Sequence, residues 1–253
     1  MLRTLSIFLA LLLFLCACSN VNSDIPTVIT ENDSNIQTSI QKTNYIDDIT
    51  FLGESTTYHL KSRGVLSEGQ ETTQVWSPKS GTLMLDQTIC ECRIVYPESR
   101  EELSLEDALK RKQPKIMLLT FGLNGAASFI SRGSTYFKGC YQKLINLIKE
   151  VSPNSEIIIN ACYPIAKNMD MSRYTINAKT LNEYISTINL WAKELAAKNN
   201  IIFTDTTKEL KDSDGYLSSH LQANDGYHLN AAAYEKILSH LNKEIQKYKE
   251  NNK

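Results

Sequence analysis

The sequence predicts a three-layer α/β/α sandwich built on a mostly parallel, flavodoxin-like five-stranded sheet. Two observations carry this expectation. Short runs of apolar β-forming residues alternate with longer segments whose apolar residues recur at helical spacing, the order that yields right-handed crossovers and a parallel sheet. The runs at 115–121 and 156–162 are also nearly apolar throughout, as strands covered on both faces are.

Ile49-Thr50-Phe51-Leu52-Gly53 is the first strand, and Ser55 to Arg63 reads as a helix stopped by Gly64. Gln74-Val75-Trp76 and the stretch Thr82 to Tyr96 hold further β-type residues, broken by Pro78 and Gly81, with their pairing open. Ser104-Leu105-Glu106-Asp107 has the form of a helix start that leads to Lys112, ahead of Pro114. After the strand Lys115–Phe121, Tyr141, Leu144, Ile145, Ile148 and Val151 mark one face of a helix that ends at Pro153. Glu156–Cys162 is a buried strand. Thr175–Asn199 is helical in pattern, Ile201–Thr204 is a strand, and Tyr234, Ile237, Leu238, Leu241 and Ile245 form the inward stripe of a terminal helix. Ligand sites in such sheets lie at the carboxyl ends of the strands. Ser55, Gly122 to Asn124, Tyr163-Pro164 and Asp205 all fall there.

Ahead of this pattern, Met1-Leu2-Arg3 and the apolar stretch Leu5–Leu15 read as a signal peptide over residues 1–17. It ends Leu15-Cys16-Ala17-Cys18, which resembles a bacterial lipoprotein signal with Cys18 as the lipidated residue. That implies an exported protein, anchored by lipid to the outer face of a bacterial cytoplasmic membrane. Residues 18–44 are rich in Ser, Asn, Thr, Asp and Gln and read as a flexible tether. Residues 45–253 are long enough for one domain with a full core.

The net charge of −1 and the even spread of basic residues argue against nucleic acid, which requires a concentrated positive footprint. Cys90, Cys92, Cys140 and Cys162 read mostly as buried thiols, with Cys90 and Cys92 two apart on one strand face. They lack the paired Cys-x-x-Cys clusters of a zinc site. Nothing resembles a phosphate loop, a dinucleotide fingerprint or a His-Glu-x-x-His string, so neither a metal nor a cofactor is implied.

Gly53-Glu54-Ser55 follows the first strand, Gly122-Leu123-Asn124-Gly125 the strand 115–121, and Asp225-Gly226-Tyr227-His228 precedes the last helix. A serine just past a strand together with an Asp-x-x-His pair supplies a nucleophile, a base and an orienter for that base. Taken alone, Ser55 is also a good helix N-cap and Asp225-Gly226 a good turn. In their order and placement, the three strings resemble the GDSL, or SGNH, family of hydrolases over essentially the whole of 45–253. The resemblance implies that Ser55 attacks an ester carbonyl, that His228 moves the proton and that Asp225 holds the imidazole tautomer. It also implies an oxyanion hole made by the Ser55 amide, the Asn124 side chain and the amide of a glycine between the first and third blocks. Gly81 is the choice for that glycine, with Gly64 and Gly69 in the same interval. Glu54 and Gly125 depart from the usual pattern, each standing where aspartate is customary. His59 lies one helical turn from Ser55, but a helix running away from the site is expected to carry it off; His220 and His240 read as surface or structural residues.

The expected activity is a serine esterase that removes acyl groups, acetyl first, from extracellular carbohydrate or cell-envelope glycan. A lipase or lysophospholipase, or an O-acyltransferase with the same triad, is the enzymatic alternative. A non-catalytic glycan-binding lipoprotein is the alternative of another class.

Overall fold

The computed structural model describes residues 44–251. The expected signal peptide, Cys18 and all but the last residue of the tether lie outside the described residues.

Five strands, β1 (Ile49–Gly53), β2 (Val75–Trp76), β5 (Ile116–Thr120), β6 (Glu156–Asn160) and β7 (Ile202–Thr204), form a parallel sheet of order β2-β1-β5-β6-β7. This is the flavodoxin-like order expected, with the direction of winding reversing between β1 and β5. Gly53 pairs with Thr120 at the carboxyl ends of those two strands, so both open onto the reversal point.

The side-chain period of two explains how one sheet serves two cores. In β1 and β5, Phe51, Ile116 and Leu118 point to one face; Leu52, Met117 and Leu119 point to the other. The first face is covered by α1 (Ser55–Ser62) and α6 (Ala231–Asn251), through Leu60, Tyr234, Ile237 and Leu241. The second is covered by α2 (Leu105–Lys112), α3 (Ala126–Arg132), α4 (Ser134–Val151) and α5 (Ala178–Lys198). In α4 the stripe Tyr141, Leu144, Ile145 and Ile148 is fully buried, which is why that segment is a helix at this place rather than merely helix-prone. Ser104 caps α2: its Oγ accepts from the Asp107 amide at 3.0 Å.

The middle of the chain differs in detail from the sequence reading. Arg93–Val95 (β3) pairs with Glu102–Ser104 (β4) in a separate antiparallel hairpin, whereas Val75–Trp76 joins the main sheet as its edge. Cys90 and Cys92 are not on a strand. A single 3₁₀ turn spans Ile89–Glu91 and Cys92 follows it, because the chain must bend there to bring Ile89 and Ile94 into the same core. α3 was not expected; seven residues are too few to show a helical period.

Candidate active site

Three elements bring the candidate residues together. Ser55 opens α1 directly after β1, so its amide is among the first of that helix and has no acceptor within it. His228 and Asp225 lie in the loop before α6. That loop is drawn to the sheet by Ala166, whose amide donates to the Gly226 carbonyl at 2.7 Å, and by Met169, which packs on Gly226. Gly226 has φ of +85°, and a β-carbon there would sit 2.6 Å from the Met169 backbone, so both conformation and space demand glycine.

His228 Nε2 is 2.9 Å from Ser55 Oγ, and His228 Nδ1 is 2.6 Å from Asp225 Oδ2. The other oxygen of Asp225 accepts from the amides of Tyr227 at 3.1 Å and His228 at 2.9 Å. Burial pulls the Asp225 carboxyl up, but the amide and ring of His228 and the Tyr227 amide outweigh it and hold the group below its ordinary value. The carboxylate is therefore the acceptor. Nδ1 carries the proton and Nε2 presents its lone pair to the serine. A hydroxyl so placed can be deprotonated as it attacks.

Facing this pair is the loop after β5. Asn124 Nδ2 donates to Thr82 Oγ1 at 3.0 Å, which leaves its second hydrogen free. The loop is held from below by Glu54. This side chain is fully buried, and its carboxylate accepts from the amides of Gly122 at 2.9 Å, Leu123 at 3.2 Å and Asn124 at 3.1 Å. Burial pushes the Glu54 carboxyl up to about 7 against the pull of those amides. The longer side chain in place of aspartate thus ties the first block to the third. Gly81 lies in the same region, against the Tyr58 ring, but its amide donates to the Pro78 carbonyl at 2.9 Å and closes a turn. Among the described residues the next amide, that of Thr82, has no acceptor. Gly64 and Gly69 fall in the turns that follow α1, where the Gly69 amide donates to Leu66.

Gly53 decides how close the strand comes to its neighbour. A β-carbon there would lie 2.4 Å from the Thr120 carbonyl and 2.3 Å from Thr57 Oγ1. Gly53→Ala is expected to cost on the order of 1–3 kcal/mol and to displace Ser55, read as a lower urea midpoint together with lost activity.

One residue stands differently from the sequence reading. The helix does not carry His59 away: its ring lies against that of His228, centroids 4.2 Å apart. The one signal for it was the four-residue spacing from Ser55. Tyr163 is buried, and its hydroxyl accepts from Asn160 at 3.1 Å beneath the sheet edge, so it is part of the scaffold. Asp205 likewise caps a turn, accepting from the Thr207 amide at 3.1 Å. His220 Nδ1 is 3.0 Å from Ser218 Oγ, and His240 lines a surface groove with Lys193 and Glu244. Cys140 and Cys162 are buried free thiols, and Cys90 and Cys92 are half-buried ones.

The GDSL-like lipase/acylhydrolase family model matches residues 51–236, from the middle of β1 into α6. The chain belongs to this family. The span takes in the serine, asparagine and Asp-x-x-His strings, so the acylhydrolase domain is the one whose geometry is described above. No curated protein sequence matches the chain. Solved structures that resemble the acylhydrolase include one named for a lipolytic protein of the G-D-S-L family from Desulfitobacterium hafniense, with 16% identity, a TM-score of 0.52, and coverage of 77% of this chain and 97% of that one. Another, named for a platelet activating factor of Streptococcus pneumoniae, has 17% identity, a TM-score of 0.51 and coverage of 82% and 86%. The periplasmic domain of a Salmonella ser. Paratyphi A lipopolysaccharide acetyltransferase has 16% identity, a TM-score of 0.52 and coverage of 81% and 85%. At these identities the likeness is one of fold.

Proposed function

We propose that this acylhydrolase is a serine esterase acting on acyl esters, acetyl first, of extracellular carbohydrate or cell-envelope glycan, and that it works outside the cell, tethered through a lipidated Cys18. The observation that carries the catalytic part is the 2.9 Å approach of Ser55 Oγ to His228 Nε2. Ser55 Oγ attacks the ester carbonyl carbon while Nε2 takes its proton. The oxyanion is met by the Ser55 amide, the free hydrogen of Asn124 and an amide of the Gly81–Thr82 turn, where Thr82 has the N–H to spare. The C–O bond to the alcohol then breaks and His228 returns the proton to the leaving oxygen, which leaves an acyl-Ser55. Water, losing its proton to the same nitrogen, attacks that ester; the acyl C–Oγ bond breaks, His228 returns the proton to Ser55 Oγ and the acid leaves.

The substrate class rests on two supports. The lipoprotein-like start of the sequence implies contact with envelope polymers, and the half-exposed Tyr58, one turn from Ser55, offers a ring on which a sugar can lie. The fold shared with the Salmonella acetyltransferase domain favours a second reading, in which a sugar hydroxyl replaces water and the acyl group is transferred. The test is hydrolysis of nitrophenyl esters from acetyl to long acyl chains, with and without an acetyl-acceptor oligosaccharide, by the full chain and its Ser55→Ala variant. Serine-dependent turnover confined to short chains is the expected result. Rates that rise with chain length point to a lipase, acceleration by the oligosaccharide points to transfer, and no labelling of Ser55 by a fluorophosphonate points to a non-catalytic binding protein.

A further inference from the structure

We infer that His59 is a positioning residue for the base: its ring backs that of His228 and fixes the plane in which Nε2 meets Ser55. This rests on the proposed role of His228. Two hydrogen bonds hold the His228 ring: Nδ1–H donates to Asp225 and Nε2 accepts from the Ser55 hydroxyl. The ring hangs from Cβ, so a swing about the Cβ–Cγ bond carries both nitrogens away from these partners. Groups that touch the ring limit that swing. Two aromatic groups do so: Tyr227, with centroids 4.0 Å apart and planes 41° apart, and His59, at 4.2 Å and 33°.

These two contacts differ in what they fix. Tyr227 is the neighbour of His228 in the chain and moves with the same loop. His59 belongs to α1, four residues after Ser55, and so stands at one helical turn from the nucleophile on a rigid element. Its contact therefore ties the plane of the base to the helix that carries Ser55, 173 positions before that base. The environment of His59 suits that use. Its Nδ1 is buried without a hydrogen-bond partner among the described residues, so the ring is placed for its face rather than for its nitrogens. Burial, then the neighbouring His228 and Arg63, push its imidazole down to about 4, with Asp225 pulling the other way. The ring is therefore neutral near pH 7 and adds no positive charge beside the cation that forms on His228 during attack.

The test uses the full chain with His59→Ala and His59→Phe. In His59→Ala, kcat for nitrophenyl acetate is expected to fall about ten- to a hundredfold with KM unchanged. The low-field proton resonance of His228 Nδ1–H is expected to broaden or vanish as the ring loosens and exchanges with water. His59→Phe restores a ring without nitrogens and is expected to recover both the rate and the resonance, and all three proteins are expected to share one thermal midpoint. Wild-type kcat and a persisting resonance in His59→Ala overturn the inference, and so does a His59→Phe protein as impaired as His59→Ala. A wild-type chain that hydrolyses no ester refutes the esterase reading alone, because the resonance still reports whether His59 holds the ring.

Discussion

Ser55→Ala is expected to lower kcat by a factor on the order of 10⁵–10⁶ while leaving the thermal midpoint within about 2 °C of the parent. The side chain lost is one hydroxyl at the mouth of the site, whose partner His228 keeps its bond to Asp225. Asp225→Asn is the sharper companion. Asparagine keeps an oxygen for the Tyr227 and His228 amides, so the turn survives, but it turns an N–H toward Nδ1 and imposes the wrong tautomer. About 10⁴ in kcat is expected to go with it. Steady-state hydrolysis of nitrophenyl acetate reads both variants. A Ser55→Ala protein with parental activity would sink the mechanism.

The second large effect concerns Glu54. Glu54→Ala leaves the amides of Gly122, Leu123 and Asn124 without their buried acceptor. At about 1–3 kcal/mol for each unsatisfied donor, less what water and loop movement recover, the expected loss is about 3 kcal/mol in urea unfolding, and Asn124 loses its placement. Glu54 also predicts a pH dependence. Its carboxyl is raised from 4.5 to about 7 on folding, so between those values the native state binds more protons than the unfolded chain. Its contribution to stability is then full below pH 4.5 and declines as pH rises through 7, by an amount on the order of 3 kcal/mol. Glu54→Gln cannot ionise, and its unfolding free energy is expected to lose that slope. An unchanged slope in Glu54→Gln would assign the pH dependence to another group.

The parts of this molecule that were legible in the sequence are those whose signal is local. The runs at 49–53, 115–121 and 156–162 are apolar because both faces of their strands are covered, and the two cores show each face in use. The serine, asparagine and Asp-x-x-His strings announced themselves by spacing and by their place after strands or before a helix. What stayed hidden depends on contacts between distant segments. β2 is a strand of two residues defined by its partner Phe51–Leu52. The carboxylate of Glu54 finds amides 68 to 70 positions away. The commitment of the Gly81 amide to Pro78 follows from the shape of one turn, and no glycine count reveals that. The spacing of His59 from Ser55 gives its place on α1, whereas what it faces is set by where the loop carrying His228 returns.

That return joins the two ends of the domain. His228 reaches back to Ser55, and the buried Tyr234 hydroxyl donates to the Thr56 carbonyl at 2.6 Å. β1 and α1 are made before the rest of the sheet, and the loop and helix that complete them are made after it. On the proposed mechanism Ser55 therefore has no base until the segment through His228 has been made and has folded back, and the closure of so long a loop has to be offset by the packing of α6. On that mechanism, assembly of the candidate site and closure of the domain become a single event. A chain clipped before residue 225 is expected to be unstable and to hydrolyse no nitrophenyl acetate.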